Sequence, residues 1–163
     1  MEELQDLLQA DHGELTGAAW DLLDTDELGA VLDGLQTKFA AHIEAEAAVL
    51  RCVLASNPPP EIVCALTSVL ADHVELERAI VDLPRAATGN DAWRASILEL
   101  QVMMQFHDKN ERDHALPALR DHVSPETYRA LASAYATERT HAMNLIRVPL
   151  SNHLPRPPRL QTA

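Results

Sequence analysis

The chain has 163 residues of which 47% are apolar, enough for a single domain that buries roughly two-thirds of its unfolded surface. Thirteen basic side chains against 25 acidic ones leave a formal charge of -12, which repels phosphate backbones and anionic lipid and so argues against nucleic acid or a membrane as partner. Only Cys52 and Cys64 are present, which excludes a disulfide framework and a Cys-based zinc site; with no apolar run of about 18 residues and an acidic Met1–Asp6 start, a cytoplasmic protein is expected.

Aromatics make up only 4% of the chain, and Ala, Leu, Glu and Gln outweigh the strand formers, so an all-α fold is expected. Ten prolines punctuate it. The first helix is predicted from about Glu2 to Asp24. A second starts near Asp26, with Asp24 and Glu27 as a capping box, and stops before Ser56-Asn57-Pro58. The third uses Pro60 as its first residue and ends ahead of Pro84. Asn90 caps the fourth, which ends around Pro117 to Asp121. A fifth, capped by Ser124, covers about 125–147. Long helices with short connections fit an up-down-up-down four-helix bundle with an additional C-terminal helix, forming one domain over 1–147. Residues 148–163 read as a flexible Pro-rich tail.

Each bundle helix carries an apolar stripe at steps of three and four, and each stripe is broken by histidine. The second runs Leu32, Leu35, Phe39, His42, Glu46, Val49, and the fourth runs Ile97, Leu100, Met104, His107, Glu111, His114. His73 interrupts the third, with Glu77 four residues on, and His12 the first. With 8 His and 13 Glu in the chain, about 0.6 His-x-x-x-Glu pairs are expected by chance, and four occur. One of them, His122 with Glu126, is split by Ser124-Pro125 and need not share a helix face. At 1.5 Å per residue the four imidazoles fall within roughly 5 Å of depth in such a bundle.

Four imidazoles and three carboxylates in one apolar interior, with no Lys or Arg on the same stripes, would cost several kcal/mol per unpaired charge, and a bound cation removes that cost. Zinc would leave ligands idle, calcium and magnesium prefer oxygen, and mixed imidazole and carboxylate suits iron, with manganese behind it. Two octahedral ions offer about twelve positions. Seven ligands with two bridging carboxylates and a bridging oxo or hydroxo group leave about one open, where dioxygen, peroxide or nitric oxide would bind.

The ordered set of Asp11-His12, His42 to Glu46, His73, and His107 to Glu111 with the trailing Leu116-Pro117-Ala118-Leu119 resembles the haemerythrin-like (HHE cation-binding) family over about Leu7 to Leu119. The resemblance implies a non-haem di-iron site in a four-helix bundle, with Glu46 and Glu111 as bridges, His12 and His42 on one iron, and His73 and His107 on the other. Glu77 stands where oxygen-carrying members have a fifth histidine. An anionic ligand there would favour ferric iron and, if bidentate, close the open position, which shifts the expected role from reversible oxygen carriage toward handling of peroxide or other reactive oxygen or nitrogen species, in a catalase-like manner.

Other features are read as structural. His114 is expected to be a hydrogen-bonded interior residue near the site, Met103 and Met104 packing, Cys52 and Cys64 free thiols. Glu111-x-x-His114 and Glu138-x-x-His141 match the ferritin-like spacing but would strand the other histidines. The competing functional class is a non-catalytic iron- or oxygen-responsive sensor, read by a protein partner through the fifth helix or tail.

Overall fold

A computed structural model describes residues 3–83 and 90–146. Among them there is no strand; the elements are α1 (Leu4–Asp21), α2 (Leu28–Leu54), α3 (Pro60–Val81), α4 (Asp91–Asn110), a single π turn (Glu111–Ala115), α5 (Leu116–His122) and α6 (Pro125–Ile146). The expected tail over 148–163 and the loop from Pro84 to Gly89 lie outside the described residues. No described helix is long and apolar enough to cross a membrane.

Local chemistry accounts for most helix ends. The Asn90 side chain accepts from the Trp93 N–H at 2.8 Å, and the Ser124 hydroxyl accepts from the Thr127 N–H at 3.2 Å, each supplying an acceptor to a donor that the first helical turn leaves free. Pro60 opens α3 with its φ already near the helical value. At the end of α2, Asn57 takes a positive φ of 62°, a conformation that asparagine tolerates and β-branched residues do not. The start of α2 differs from expectation. Asp24 forms no capping box; instead the Thr25 hydroxyl accepts from the Glu27 N–H at 3.0 Å, and the helix begins two residues later than the sequence suggests.

Packing follows the apolar stripes. α1 lies against α2 and α4, α3 lies against the same two, and α6 runs along α2 with a further contact on α1. The interior divides into two apolar clusters. One holds Leu4 and Leu8, Val49 and Val53, Ile62 and Leu66, Leu116 and Leu119, and Tyr128, Leu131 and Tyr135 of α6. The other holds Leu15 and Ala19, Leu32, Leu35 and Phe39, Leu76 and Ile80, and Trp93, Ile97, Leu100 and Met104. α1, α2 and α3 contribute to both clusters, α4 to the second and α5 and α6 to the first. His12, His42 and His73 lie in sequence between the two contributions of their helices, and His107 lies between Met104 of the second cluster and Ala115 of the first.

The π turn resets the phase of the fourth stripe. Its last hydrogen bond runs from the Leu116 N–H to the Glu111 carbonyl, five residues back rather than four. Pro117 lacks an N–H and its ring would collide with the Asp113 carbonyl in a regular helix, so one extra residue in the turn relieves that crowding. Beyond Glu111 the inward positions become Ala115, Leu116 and Leu119, all buried, while His114 turns to solvent. The interior role expected for His114 therefore fails, because the regular four-three spacing that predicts it stops at Glu111.

This phase shift can be measured. Leu119→Ala should lower unfolding free energy by about 2 to 5 kcal/mol, whereas His114→Ala should change it by less than about 0.5 kcal/mol in chemical denaturation. Equal losses at the two positions would mean that the helix continues without the wider turn.

Candidate metal centre

Between the two apolar clusters lies a layer of polar side chains. His42, Glu46, His73, His107 and Glu111 are each 3% exposed or less, and the His12 side chain is 12% exposed. Neighbouring rings sit close: the centroids of His73 and His107 are 4.8 Å apart, His12 and His42 4.9 Å, His12 and His107 5.0 Å, and His42 and His73 5.6 Å. Nε2 atoms face carboxylates. His42 and His73 approach Glu46 Oε2 at 3.3 and 3.0 Å, while His12 and His107 approach Glu111 Oε2 at 3.3 and 3.9 Å. Each glutamate thus gathers two imidazoles.

Proximity has not produced hydrogen bonding. All four Nε2 atoms and all four oxygens of Glu46 and Glu111 are buried without a well-oriented hydrogen-bond partner, as are Nδ1 of His73 and of His107. Buried polar atoms in native proteins are overwhelmingly paired, so eight unpaired donor atoms turned to one small volume mark a place for something that bonds to all of them. Ligand atoms of His12, His42, Glu46 and His107 lie within 4.8 Å of one another, a spacing that a metal ion can span. Among the described residues no Lys or Arg is buried there to neutralise the carboxylates.

Outer contacts hold two of the rings. His12 Nδ1 donates to Asp108 Oδ1 at 3.1 Å, and Asp108 also accepts from Arg112 at 2.8 Å. On the other side His42 Nδ1 lies 3.0 Å from the Tyr135 hydroxyl; that hydroxyl donates to Asp11, which also accepts from Arg139. Asn110 donates to Asp72 and Ser68, pinning α4 to α3 at the level of His73.

The electrostatics show what the assembled site costs. Burial would raise the Glu46 carboxyl, but the imidazoles of His42 and His73 that face it at 3.3 and 3.0 Å hold it well below the ordinary range. Glu111 goes the other way: burial, reinforced by the charge of Glu46, pushes it well above. Burial likewise lowers His12 and drives His107 down to about 3, leaving both rings neutral near pH 7. His42 resists burial because Asp11 and Glu46 flank it, and it rises to about 8. Neutral imidazoles and ionised carboxylates are the ligating forms, so His12, His107 and Glu46 are already in the state that a cation requires, whereas His42 and Glu111 are not.

Of the seven residues singled out in the sequence, the structure brings together His12, His42, Glu46, His73, His107 and Glu111. Glu77 is exposed, beside a groove lined by Gln36, Phe39, Ala40, Ile43, Ile80 and Val81, and takes no part in the cluster. It lies roughly 60° round the helix from the centre of the α3 stripe, and His73, Leu76 and Ile80 take the inward positions. A bidentate closure of the site by Glu77 has no support from this placement. Cys52 and Cys64 are exposed free thiols, Met104 is core filling, and Glu138 and His141 face solvent.

The sequence singles out Asp11 only as part of the Asp11-His12 motif and points to no site role for Tyr135 or Arg139, the two α6 side chains that bond it. Their signal is the α6 stripe Tyr128, Leu131, Ala132, Tyr135, which has helical spacing and ends on a side chain with a polar tip.

Comparison with known proteins adds nothing to this geometry: no family model, no curated protein and no solved structure matches the chain.

The raised Glu111 gives a signed prediction for the metal-free protein. The fold retains a proton there that the unfolded chain releases, so its stability contribution is full below the unfolded carboxyl value and is lost as pH rises through the higher folded value. Glu111→Gln should therefore gain on the wild type in metal-free thermal unfolding as pH is raised from 5 to 8. A difference that stays constant or reverses over that interval would contradict this assignment.

Proposed function

We propose that the chain is a haemerythrin-like, non-haem di-iron protein, an up-down-up-down bundle in which His12, His42, Glu46, His73, His107 and Glu111 hold the metal. The observation that carries this reading is the set of eight unpaired inward atoms, four imidazole nitrogens and four carboxylate oxygens. That donor set suits iron, with manganese behind it, and lacks the thiolate that structural zinc prefers. Six side chains exceed what one four-coordinate ion uses, which favours a pair of ions bridged by the glutamates. When bound, iron supplies the capacity to change oxidation state toward a small oxygen- or nitrogen-derived ligand.

The protein's own contribution is exclusion and size. Next to Glu46 and Glu111 lies a cavity of about 10 Å³, lined otherwise by Leu4, Leu8, Val49, Leu50, Leu66, Ala115, Leu116 and Leu119. It has the volume of about one water molecule, in apolar walls that offer water no further hydrogen bond. So enclosed a space favours a ligand of very few atoms, with dioxygen, nitric oxide and hydrogen peroxide as the candidates, over a larger organic substrate. With Glu77 outside the cluster, six protein ligands leave more positions open than the seven expected from the sequence, so oxygen binding and peroxide turnover both fit. We place peroxide or reactive-species handling first. The contact from Tyr135 of α6 to His42 supports a second reading, a metal- or oxygen-responsive sensor whose outer helix reports on the site to a protein partner.

Iron content and the visible spectrum of freshly purified protein test the site, and peroxide breakdown by the iron-loaded form tests the role. The expected result is about two iron atoms per chain in wild type and in Glu77→Ala, with loss of most bound iron in Glu46→Ala and His107→Ala. Wild-type protein that takes up no metal, or Glu77→Ala that loses it, would refute the ligand set. Iron uptake without peroxide turnover would leave the sensor reading.

Metal affinity should also depend on pH. His42, with its value near 8, and Glu111, held protonated, must both release protons before they can ligate, so affinity should climb between pH 6 and pH 8. Each proton released contributes up to about tenfold per pH unit. Equilibrium competition against a chelator with known proton binding would measure the slope, and a flat profile would contradict the assignment.

A further inference from the structure

We propose that Tyr135, carried by α6, is a positioning residue for the His42 imidazole, so that metal capture inside the bundle and docking of α6 form one coupled event. This inference rests on the metal-binding reading and deepens it. The hydrogen bonds around Tyr135 have a single consistent direction. Arg139 can only donate, and it donates to Asp11. The Tyr135 hydroxyl commits its one proton to the same carboxylate. Its oxygen is then an acceptor toward His42 Nδ1, 3.0 Å away.

A neutral imidazole has one N–H, and placing it on Nδ1 leaves the lone pair on Nε2, the atom that faces the cluster 3.3 Å from Glu46. Water is a poor substitute for Tyr135, because Asp11, His42 and Tyr135 are 5%, 1% and 1% exposed. His12 is oriented from within the bundle by Asp108. His42 Nδ1 is met at hydrogen-bond distance from α6, with Asp11 of α1 farther off at 3.7 Å, which gives α6 the closer hold on a ligand. Coupling of this kind is reciprocal: the factor by which the Tyr135 contact tightens metal is the factor by which metal tightens α6.

The experiment uses the full chain with cobalt(II) as the probe metal, in wild type, Tyr135→Phe and Arg139→Gln. Affinity is read by chelator competition, ligand field from the visible bands, and α6 docking from amide hydrogen exchange with and without cobalt. Tyr135→Phe keeps the buried ring and removes only the hydroxyl. It should weaken cobalt binding by about 10- to 100-fold, shift the visible bands, and reduce the metal-induced protection of α6 by a similar factor. Arg139→Gln leaves the tyrosine contact in place and loosens Asp11, so it should give a smaller loss of the same sign.

If Tyr135→Phe binds cobalt as tightly as wild type with the same bands, Tyr135 is core filling and the proposal is overturned. If Tyr135→Phe does not fold, Arg139→Gln decides, and wild-type affinity in that variant overturns it as well. Wild-type protein that binds neither cobalt nor iron brings down this inference together with the metal site. Wild-type binding with an unaffected Tyr135→Phe brings down the inference alone.

Discussion

The structure depends on a layer of ionisable side chains enclosed between two apolar clusters. Removing imidazoles and carboxylates from water is costly, and the residues here do not recover that cost from one another: they approach to 3.0–3.9 Å without well-oriented hydrogen bonds. The two glutamates illustrate the conflict. Glu46 remains ionised because His42 and His73 face it, and its charge is one of the reasons that Glu111 does not ionise readily. A multivalent cation at the centre would satisfy both carboxylates at once, replacing a frustrated arrangement of charges with coordinate bonds. Under the proposed reading, the fold and its metal are therefore parts of one equilibrium, and binding energy is also folding energy.

Much of the arrangement was legible because burial and helical period leave little freedom. A stripe such as Leu32, Leu35, Phe39, His42, Glu46, Val49 has no alternative inward face, so its polar members had to enter the interior with their neighbours. The same logic placed His12, His73 and His107. Their common level followed from helix rise and short connections, which convert sequence spacing into depth. Even the weak signals at helix ends, such as Asn90 and Ser124, proved informative, since a free N–H in the first turn needs a nearby acceptor.

What could not be read was anything that depends on a departure from regular period or on contact between distant elements. Glu77 sits four residues from His73 and by spacing alone belongs with it, but α3 buries only a narrow stripe, and Glu77 falls past its edge. His114 sits seven residues from His107 and is turned outward by one extra residue in the π turn. The role of α6 needed a third kind of information. Nothing in its sequence says that it lies along α2, and only that placement brings Tyr135 and Arg139 to Asp11 and His42.

The division of the interior also bears on the class of chemistry. Leu4, Leu8, Leu66 and Leu116 close the site on one side, and Phe39, Leu76 and Met104 belong to the cluster on the other, so under the proposed reading the ligand that reaches Glu46 and Glu111 is small. Among the described residues the cavity beside Glu46 and Glu111 is lined by no other charged side chain, and the unused capacity of the site lies in its own imidazoles and carboxylates. Selectivity in such an arrangement comes from exclusion. Apolar walls keep bulk water from the donor atoms, and under the proposed reading the small adjoining cavity would favour ligands of two or a few atoms, whose reactivity would come from the metal.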